Sequence, residues 1–266
     1  MSVVPILQYH SVSDDPPEWA EPLTVTPRHF QEQLDLLRDA QMSVIPLRRL
    51  VSAIRGGPPL PPRSLVLTFD DGFSDFYWTV TPLLAARELP ATLFVATGAA
   101  YPPGGRSSGS RLPAARMLNW RQVAGLDAYG IEIGGHSRTH AELDVLPGRQ
   151  LRSEVEGCKR DLEDVLGHAV SSYSYPHGYH NAAVRRALRA AGWDCACAAP
   201  QAFSSTTDDP MCLARLTVRH DTTAAVFADW LRGQGARTSP APPETLGTRA
   251  SRLLRRTRAR WPGRLR

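Results

Sequence analysis

Short apolar runs alternate with segments of helical spacing from Val3 to Leu231, and this alternation constrains the fold more than any other feature of the chain. Val3–Tyr9 reads as a buried strand. Thr26 then offers an N-cap and Pro27 a first-turn proline, with Phe30, Leu34 and Leu37 at helical spacing behind them. Ser43–Pro46 is a short strand candidate, Leu47–Arg55 a helix, and the Gly/Pro-rich stretch 56–62 a break. Leu65–Asp70 is a strand, Pro82–Glu88 a helix, Ala91–Ala96 a strand and Tyr101–Pro113 a loop rich in Gly, Pro and Ser. Asn119 can cap a helix running toward Tyr129, and Ile131–Ile133 leads as a strand into Gly134-Gly135-His136. Leu151, Val155, Leu162 and Leu166 mark a long amphipathic helix closed by Gly167. Strand candidates Ser171–Tyr175, Trp193–Ala198 and Leu213–Val218 follow, interleaved with helices at Ala182–Ala191 and Thr223–Leu231. This order predicts an α/β protein with a parallel sheet, closed or nearly closed as a barrel.

The length of 266 residues suits one such barrel. With 42% hydrophobic and 21% charged residues the chain carries no global disorder signal. Its formal charge of +5 is unevenly spread: Gln234–Arg266 holds nine arginines and one glutamate, +8, which leaves −3 on Met1–Gly233. The strand-helix pattern stops after Gly233, and Ser239–Pro243 reads as a linker. The expected organisation is a catalytic domain over residues 1–233 and a flexible basic tail over 234–266. Any attraction to an anionic membrane belongs to that tail, and nucleic-acid binding is the weaker reading. The start has no basic leader or cleavage pattern, and no run is apolar enough to span a membrane. The expected location is therefore cytoplasmic, with peripheral membrane contact as an addition. Cys158, Cys195, Cys197 and Cys212 have no zinc or redox spacing, and Cys195 and Cys197 should share one strand face.

In barrels of this kind chemistry collects where strands end. Asp70, Asp71, His136, Pro176 and His177 all fall just after strand candidates, so their side chains can converge at one mouth. Adjacent aspartates repel each other, and keeping both ionised calls for a nearby cation. His136 and His140, four residues apart, can supply neutral nitrogen ligands for it. Two imidazoles and one carboxylate leave positions open for water and substrate, and the second carboxylate is then a general base. That is the equipment of a hydrolase.

Thr68-Phe69-Asp70-Asp71-Gly72 and His136-Ser137-Arg138-Thr139-His140, with a weaker Tyr175-Pro176-His177-Gly178, give the chain a family likeness. Over about Met1–Leu231 it resembles the polysaccharide deacetylases of carbohydrate esterase family 4, the NodB-homology domain. Pro5–His10 is similar to the amino-terminal motif of the branch that deacetylates poly-N-acetylglucosamine. The resemblance implies a deformed (β/α)7-8 barrel holding one divalent metal through Asp71, His136 and His140. Zn2+ is the first choice, with Co2+, Ni2+ or Fe2+ as alternatives. It makes Asp70 the base, places an oxyanion-stabilising backbone N–H at His177, and counts Tyr175 with it as an oxyanion or substrate residue. His10 is the favoured general acid and His220, in a His-Asp pair similar to the late motif of the more usual branch, its competitor. Where an arginine normally orients the base, Ser174 stands instead, so support for Asp70 must come from elsewhere.

The implied reaction removes the acetyl group from an N-acetylated amino sugar in a polysaccharide, oligosaccharide or glycoconjugate. A small glycoside, glycolipid or biosynthetic intermediate is the rival substrate, and a sugar-binding protein without turnover the rival class. Tyr9, Tyr173 and Trp120 are candidates for a sugar-stacking platform, although aromatic residues beside strands more often belong to the core.

Overall fold

The structure, a computed structural model, describes residues 3–100, 110–127, 129–239, 251, 254 and 255. Most of the expected Gly/Pro/Ser loop, the linker beyond Ser239 and most of the basic tail lie outside the described residues.

Seven parallel strands carry the architecture: β1 (Ile6–Tyr9), β2 (Ser64–Phe69), β3 (Thr92–Val95), β4 (Glu132–Gly135), β5 (Ser172–Ser174), β6 (Cys195–Cys197) and β7 (Leu216–Thr217). They pair in the order β6-β5-β4-β3-β2-β1-β7, and Ser43–Val44 adds a short parallel partner at the start of β2. Leu213, just ahead of β7, forms a parallel bridge to Cys197 of β6, so the curled sheet nearly closes on itself. The helices are α1 (Pro27–Asp39), α2 (Leu47–Ile54), α3 (Thr81–Ala85), α4 (Trp120–Asp127), α5 (Gly148–Leu166), α6 (Ala182–Ala190) and α7 (Ala224–Leu231). The expected deformed α/β barrel is thus present.

Local chemistry explains the helix ends. Thr26 Oγ1 accepts from His29 N–H ahead of Pro27, and Thr223 Oγ1 accepts from Val226 N–H ahead of α7. Asn119 and Gln122 cap α4 reciprocally, each side-chain oxygen accepting the other's backbone N–H. Gly167 ends α5 at φ 73°, a conformation glycine adopts without a steric penalty.

Alternation along the strands separates two environments. Leu7, Tyr9, Leu67, Phe69, Leu93, Val95, Ile133 and Tyr173 pack outward into the core shared with the helices. Ile6, Val66, Phe94, Cys195 and Cys197 form a second cluster, which Leu47, Leu50 and Val51 of α2 join. Polar residues occupy the remaining inward positions toward the carboxyl ends of the strands: Gln8, Thr68, Ser174 and Arg215 are all buried. At Gly134 an added Cβ would lie 2.6 Å from the Phe94 ring and 2.7 Å from the Ser172 carbonyl oxygen, so only glycine fits.

Several features depart from the expected pattern. Pro5, which has no N–H for a ladder, splits the first strand, and Val3–Val4 pairs antiparallel with Ala202–Ser205 outside the barrel. The pattern does not stop at Gly233: Arg237–Thr238 runs parallel to the same Ala202–Ser205 segment. These strands are two to four residues long, and their pairing is decided by what lies beside them. The helix expected from Pro82 starts earlier, as a π-turn over Phe76–Val80, in which the Thr81 backbone N–H and hydroxyl both donate to the Phe76 carbonyl.

Candidate metal centre and active-site cleft

The sharp turn after β2 delivers two adjacent aspartates to different neighbours. Asp71 takes a left-handed backbone conformation at φ 75°, as do His140 and His177, both at φ 57°. Asp and His tolerate this region better than most residues, and such strain concentrates at functional sites. The turn lets consecutive residues send their carboxylates to separate partners.

Asp71 Oδ1 lies 3.3 Å from Nε2 of both His136 and His140. The three potential ligand atoms fall within 4.8 Å of one another, and all three residues are buried. Asp71 Oδ1 is buried and makes no hydrogen bond, which is the situation of an atom whose partner is a cation. The His136 Nδ1 is 2.8 Å from the Ser174 carbonyl oxygen. A carbonyl can only accept, so Nδ1 carries a proton, and Nε2 is the ring nitrogen that faces Asp71 and is left to bind a cation when the ring is neutral. Burial pushes the Asp71 carboxyl up, but the two imidazoles overcome this and hold it well below the usual carboxylate range. The set of two imidazole nitrogens and one carboxylate oxygen, with a fixed tautomer, fits a divalent cation of the zinc kind.

The ligand loop is fastened from behind. Glu154 on α5 accepts the backbone N–H groups of Arg138 and Thr139, at 2.9 and 2.8 Å, and the Thr139 hydroxyl at 2.8 Å. Arg138 Nε and the Thr97 hydroxyl both donate to Asp161 of the same helix. These bonds hold the segment between His136 and His140 against α5.

Asp70 is oriented by an arginine absent from the sequence-based site. Arg215, fully buried just before β7, forks onto Asp70, with Nη1 to Oδ1 and Nη2 to Oδ2 both at 2.7 Å. Its other donors reach the Ala198 carbonyl, the Thr68 hydroxyl and the Ser174 hydroxyl, so all five N–H groups are placed. Gln8 Nε2 and Ser174 Oγ also donate to Asp70 Oδ2, at 2.8 and 3.2 Å. Burial raises the Asp70 pKa, yet the charges of Arg215 and His136 and the Arg215 hydrogen bond prevail and hold it down at about 2. Asp70 is therefore an anion throughout the physiological range. Ser174, standing where the family's arginine was expected, donates to Asp70 and accepts from Arg215, which approaches from the segment just before β7.

His10, at the end of β1, lines the same cleft. Its Nδ1 is buried without a hydrogen-bond partner, and burial lowers its pKa although Asp71 and Asp70 pull the other way. His220 is exposed, bonds the Pro22 carbonyl, and is not among the cleft residues. His177 lines the cleft with its ring 4.5 Å from that of His140, and burial with the neighbouring imidazoles drives its pKa down to about 4.

Tyr175 corrects an expectation, because its side chain is in the core. The ring stacks on His180 and the hydroxyl donates to the Met211 carbonyl, so it cannot face a substrate. Tyr9 and Tyr173 are likewise fully buried, and Trp120 packs against the core. Among the described residues Trp19, in a short 3-10 turn outside the strand pattern, does line the cleft. The four cysteines are free, and burial pushes the Cys195 thiol up to about 12. The cleft measures about 640 Å3, and Leu23, Arg111, Leu112, Pro113, Glu142, Thr217 and Arg219 complete much of its wall.

This combination of curled parallel sheet, strand-end Asp-His-His cluster and tethered second aspartate is the equipment of a hydrolase with a candidate metal centre. Residues 57–196 match the sequence model described as "Polysaccharide deacetylase", and the chain belongs to that family. Its members hydrolyse carbon–nitrogen bonds and depend on a metal ion. The chain is similar to the YxkH protein of Bacillus subtilis (strain 168), with 23% identity over 228 residues, 86% of this chain and 76% of the relative. It is 35% identical over 85 residues to the poly-beta-1,6-N-acetyl-D-glucosamine N-deacetylase of Escherichia coli (strain K12), a match that spans 32% of this chain and 12% of that protein. Among solved structures, the Streptococcus pyogenes deacetylase PplD in complex with acetate superposes with a TM-score of 0.74 at 21% identity, covering 85% of this chain and 96% of the other. IcaB from Ammonifex degensii gives 0.73 at 22%, covering 86% and 97%. These two show the fold.

Proposed function

We propose that this protein removes the acetyl group from an N-acetylated amino sugar of the N-acetylglucosamine kind. The observation that carries the reading is the division of labour between the adjacent aspartates. Asp71 joins His136 and His140 in a ligand set, while Asp70 is held ionised beside them by Arg215. The cleft of about 640 Å3 around them has the volume for a sugar unit, and 35% identity to a poly-beta-1,6-N-acetyl-D-glucosamine N-deacetylase over 85 residues supports that sugar class.

Asp71, His136 and His140 would hold the cation, with Zn2+ first and Co2+, Ni2+ or Fe2+ as alternatives. A cation there supplies Lewis acidity toward the carbonyl and lowers the pKa of water. Asp70 takes a proton from the attacking water as the oxygen–carbon bond forms. Of its two oxygens, Oδ2 already accepts three hydrogen bonds and Oδ1 one, which makes Oδ1 the proton acceptor. The backbone N–H of His177 donates to the developing oxyanion, a contact of a type that contributes about 3 kcal/mol to such transition states. His10 gives a proton to the amine nitrogen as the carbon–nitrogen bond breaks, and acetate and a free amino sugar leave. Exchange with solvent then restores Asp70 and His10. His10 is preferred to His220 as the acid because it lines the cleft and its Nδ1 has no other partner.

The test is acetate release by the purified chain, with zinc, from N-acetylglucosamine monomers, oligomers and lipid-linked sugars. Release that disappears in Asp70→Asn and Asp71→Ala supports the reading. Sugar binding with no acetate from any of these substrates would make the protein a binding module instead. Release confined to lipid-linked or monomeric sugars would replace the polymer by a small glycoconjugate.

A further inference from the structure

The connections after β4 and β5 each carry a residue of the site, and one arginine from the C-terminal segment touches both. Arg255 Nη2 donates to Asp144 Oδ2 at 2.6 Å, and its Nε lies 3.7 Å from the Glu142 carboxylate. Its guanidinium stands 3.8 Å above the Tyr179 ring. Glu142 follows His140 by two residues and lines the cleft. Tyr179 follows His177 by two residues, with the two rings 5.6 Å apart, and the His177 ring in turn meets that of His140 at 4.5 Å. The contacts therefore close a ring from the ligand loop through Arg255 and Tyr179 to His177 and back to His140.

The docking has a physical cause. The Asp144 side chain is only 4% exposed, and a carboxylate so buried demands a cation. Arg255, 17% exposed, can meet that demand while its flat face stacks on Tyr179. His140 and His177 both occupy the left-handed region, which persists only where surrounding contacts enforce it.

We infer that Arg255 is a positioning residue, which ties the two connections together and so holds His140 for metal binding and His177 over the cleft. The inference rests on the proposed roles of those two histidines.

The experiment measures zinc affinity of the metal-free full chain by competition with a chromogenic chelator, beside urea unfolding of the same samples. Arg255→Ala is expected to bind zinc roughly 10-fold more weakly or worse while remaining folded, the range seen for residues that orient metal ligands. Arg255→Lys should recover part of the loss, since an ammonium can pair with Asp144 but cannot form the flat stack. Tyr179→Leu keeps the Asp144 pair and should give a smaller loss that does not add to that of Arg255→Ala. With an accepted substrate, kcat should fall more than KM rises. Wild-type zinc affinity in both Arg255→Ala and Tyr179→Leu would reduce the contact to a surface clasp and overturn the inference. If Arg255→Ala does not fold, Tyr179→Leu decides on the same criterion. Failure of zinc-loaded wild type to release acetate from any substrate would sink the deacetylase reading and leave this zinc measurement standing.

Discussion

Arg215, just before β7, holds Asp70 across the intervening strand β1: both guanidinium Nη atoms lie 2.7 Å from the two carboxylate oxygens, and both side chains are almost fully buried. A buried pair of this kind is costly to break, since the surviving charge has no water to turn to. Replacing Arg215 with Met should destabilise the fold by about 3–5 kcal/mol in urea unfolding. Arg215→Lys keeps the charge but loses the fork, and should lower acetate release about 10–100-fold with a smaller stability loss.

The same pair sets a dependence on acid. The Asp70 pKa is depressed from 3.8 to about 2, so its contribution to stability is fully present above about pH 4 and is lost as the pH falls through about 2. Unfolding free energies measured between pH 5 and pH 2 should decline for the wild type over this window. Arg215→Met, without the main source of the depression, should show a weaker decline there. Parallel curves would show that Asp70 is not the group responsible.

Zinc should stabilise the folded chain through Asp71, His136 and His140. At a free concentration 100 times its Kd, a ligand that binds only the folded form adds about 2.7 kcal/mol. Thermal unfolding with and without zinc should therefore separate, and the separation should vanish in Asp71→Ala. An equal zinc shift in that variant would place the cation elsewhere.

His10 and His220 can be told apart directly. Losing a general acid typically costs 10²–10⁴-fold in rate. His10→Gln should fall in that range, whereas His220→Gln, altering an exposed residue outside the cleft, should remain within about threefold of wild type. The reverse order of effects would move the acid to the last strand end.

Gly134 offers a test of the barrel's interior that does not involve catalysis. A Cβ there would sit 2.6 Å from Phe94 and 2.7 Å from the Ser172 carbonyl oxygen, and overpacking of this sort costs about 1–3 kcal/mol. Gly134→Ala should lower the urea midpoint accordingly, with a further loss in zinc affinity because His136 directly follows the same strand. A neutral effect would mean that Phe94 and β5 can move aside.

Legibility in the sequence followed the range of the interaction. Thr26-Pro27, Thr223 and Gly167 announce helix ends because a cap is a bond between residues a few positions apart. The Asp70-Asp71 pair and the His136–His140 spacing were readable for the same reason, each being a compact motif at a strand end. Arg215 was not: it lies 145 positions from Asp70, and nothing local distinguishes it from the chain's other arginines. Ser174 gave the one available sign, since a missing arginine requires another cation for the same carboxylate. Tyr175 misled because the motif fixes its position but not the direction of its side chain, which the core around Met211 and His180 decides. Arg255 lies in a segment whose composition reads only as basic, and its contacts with Asp144 and Tyr179 depend on where the two barrel connections end.

The amino-acid sequence by itself therefore determined the alternating strands and helices, the strand ends that carry the candidate site residues and the four-residue spacing of His136 and His140. Each of these rests on spacing or on bonds within a few residues. Only the tertiary structure decided how the two aspartates are separated, because that depends on a left-handed turn at Asp71 and on side chains from β1, β5 and the approach to β7 meeting inside the barrel. A buried carboxylate must find its cation wherever the fold can bring one, and sequence distance places no limit on where that is.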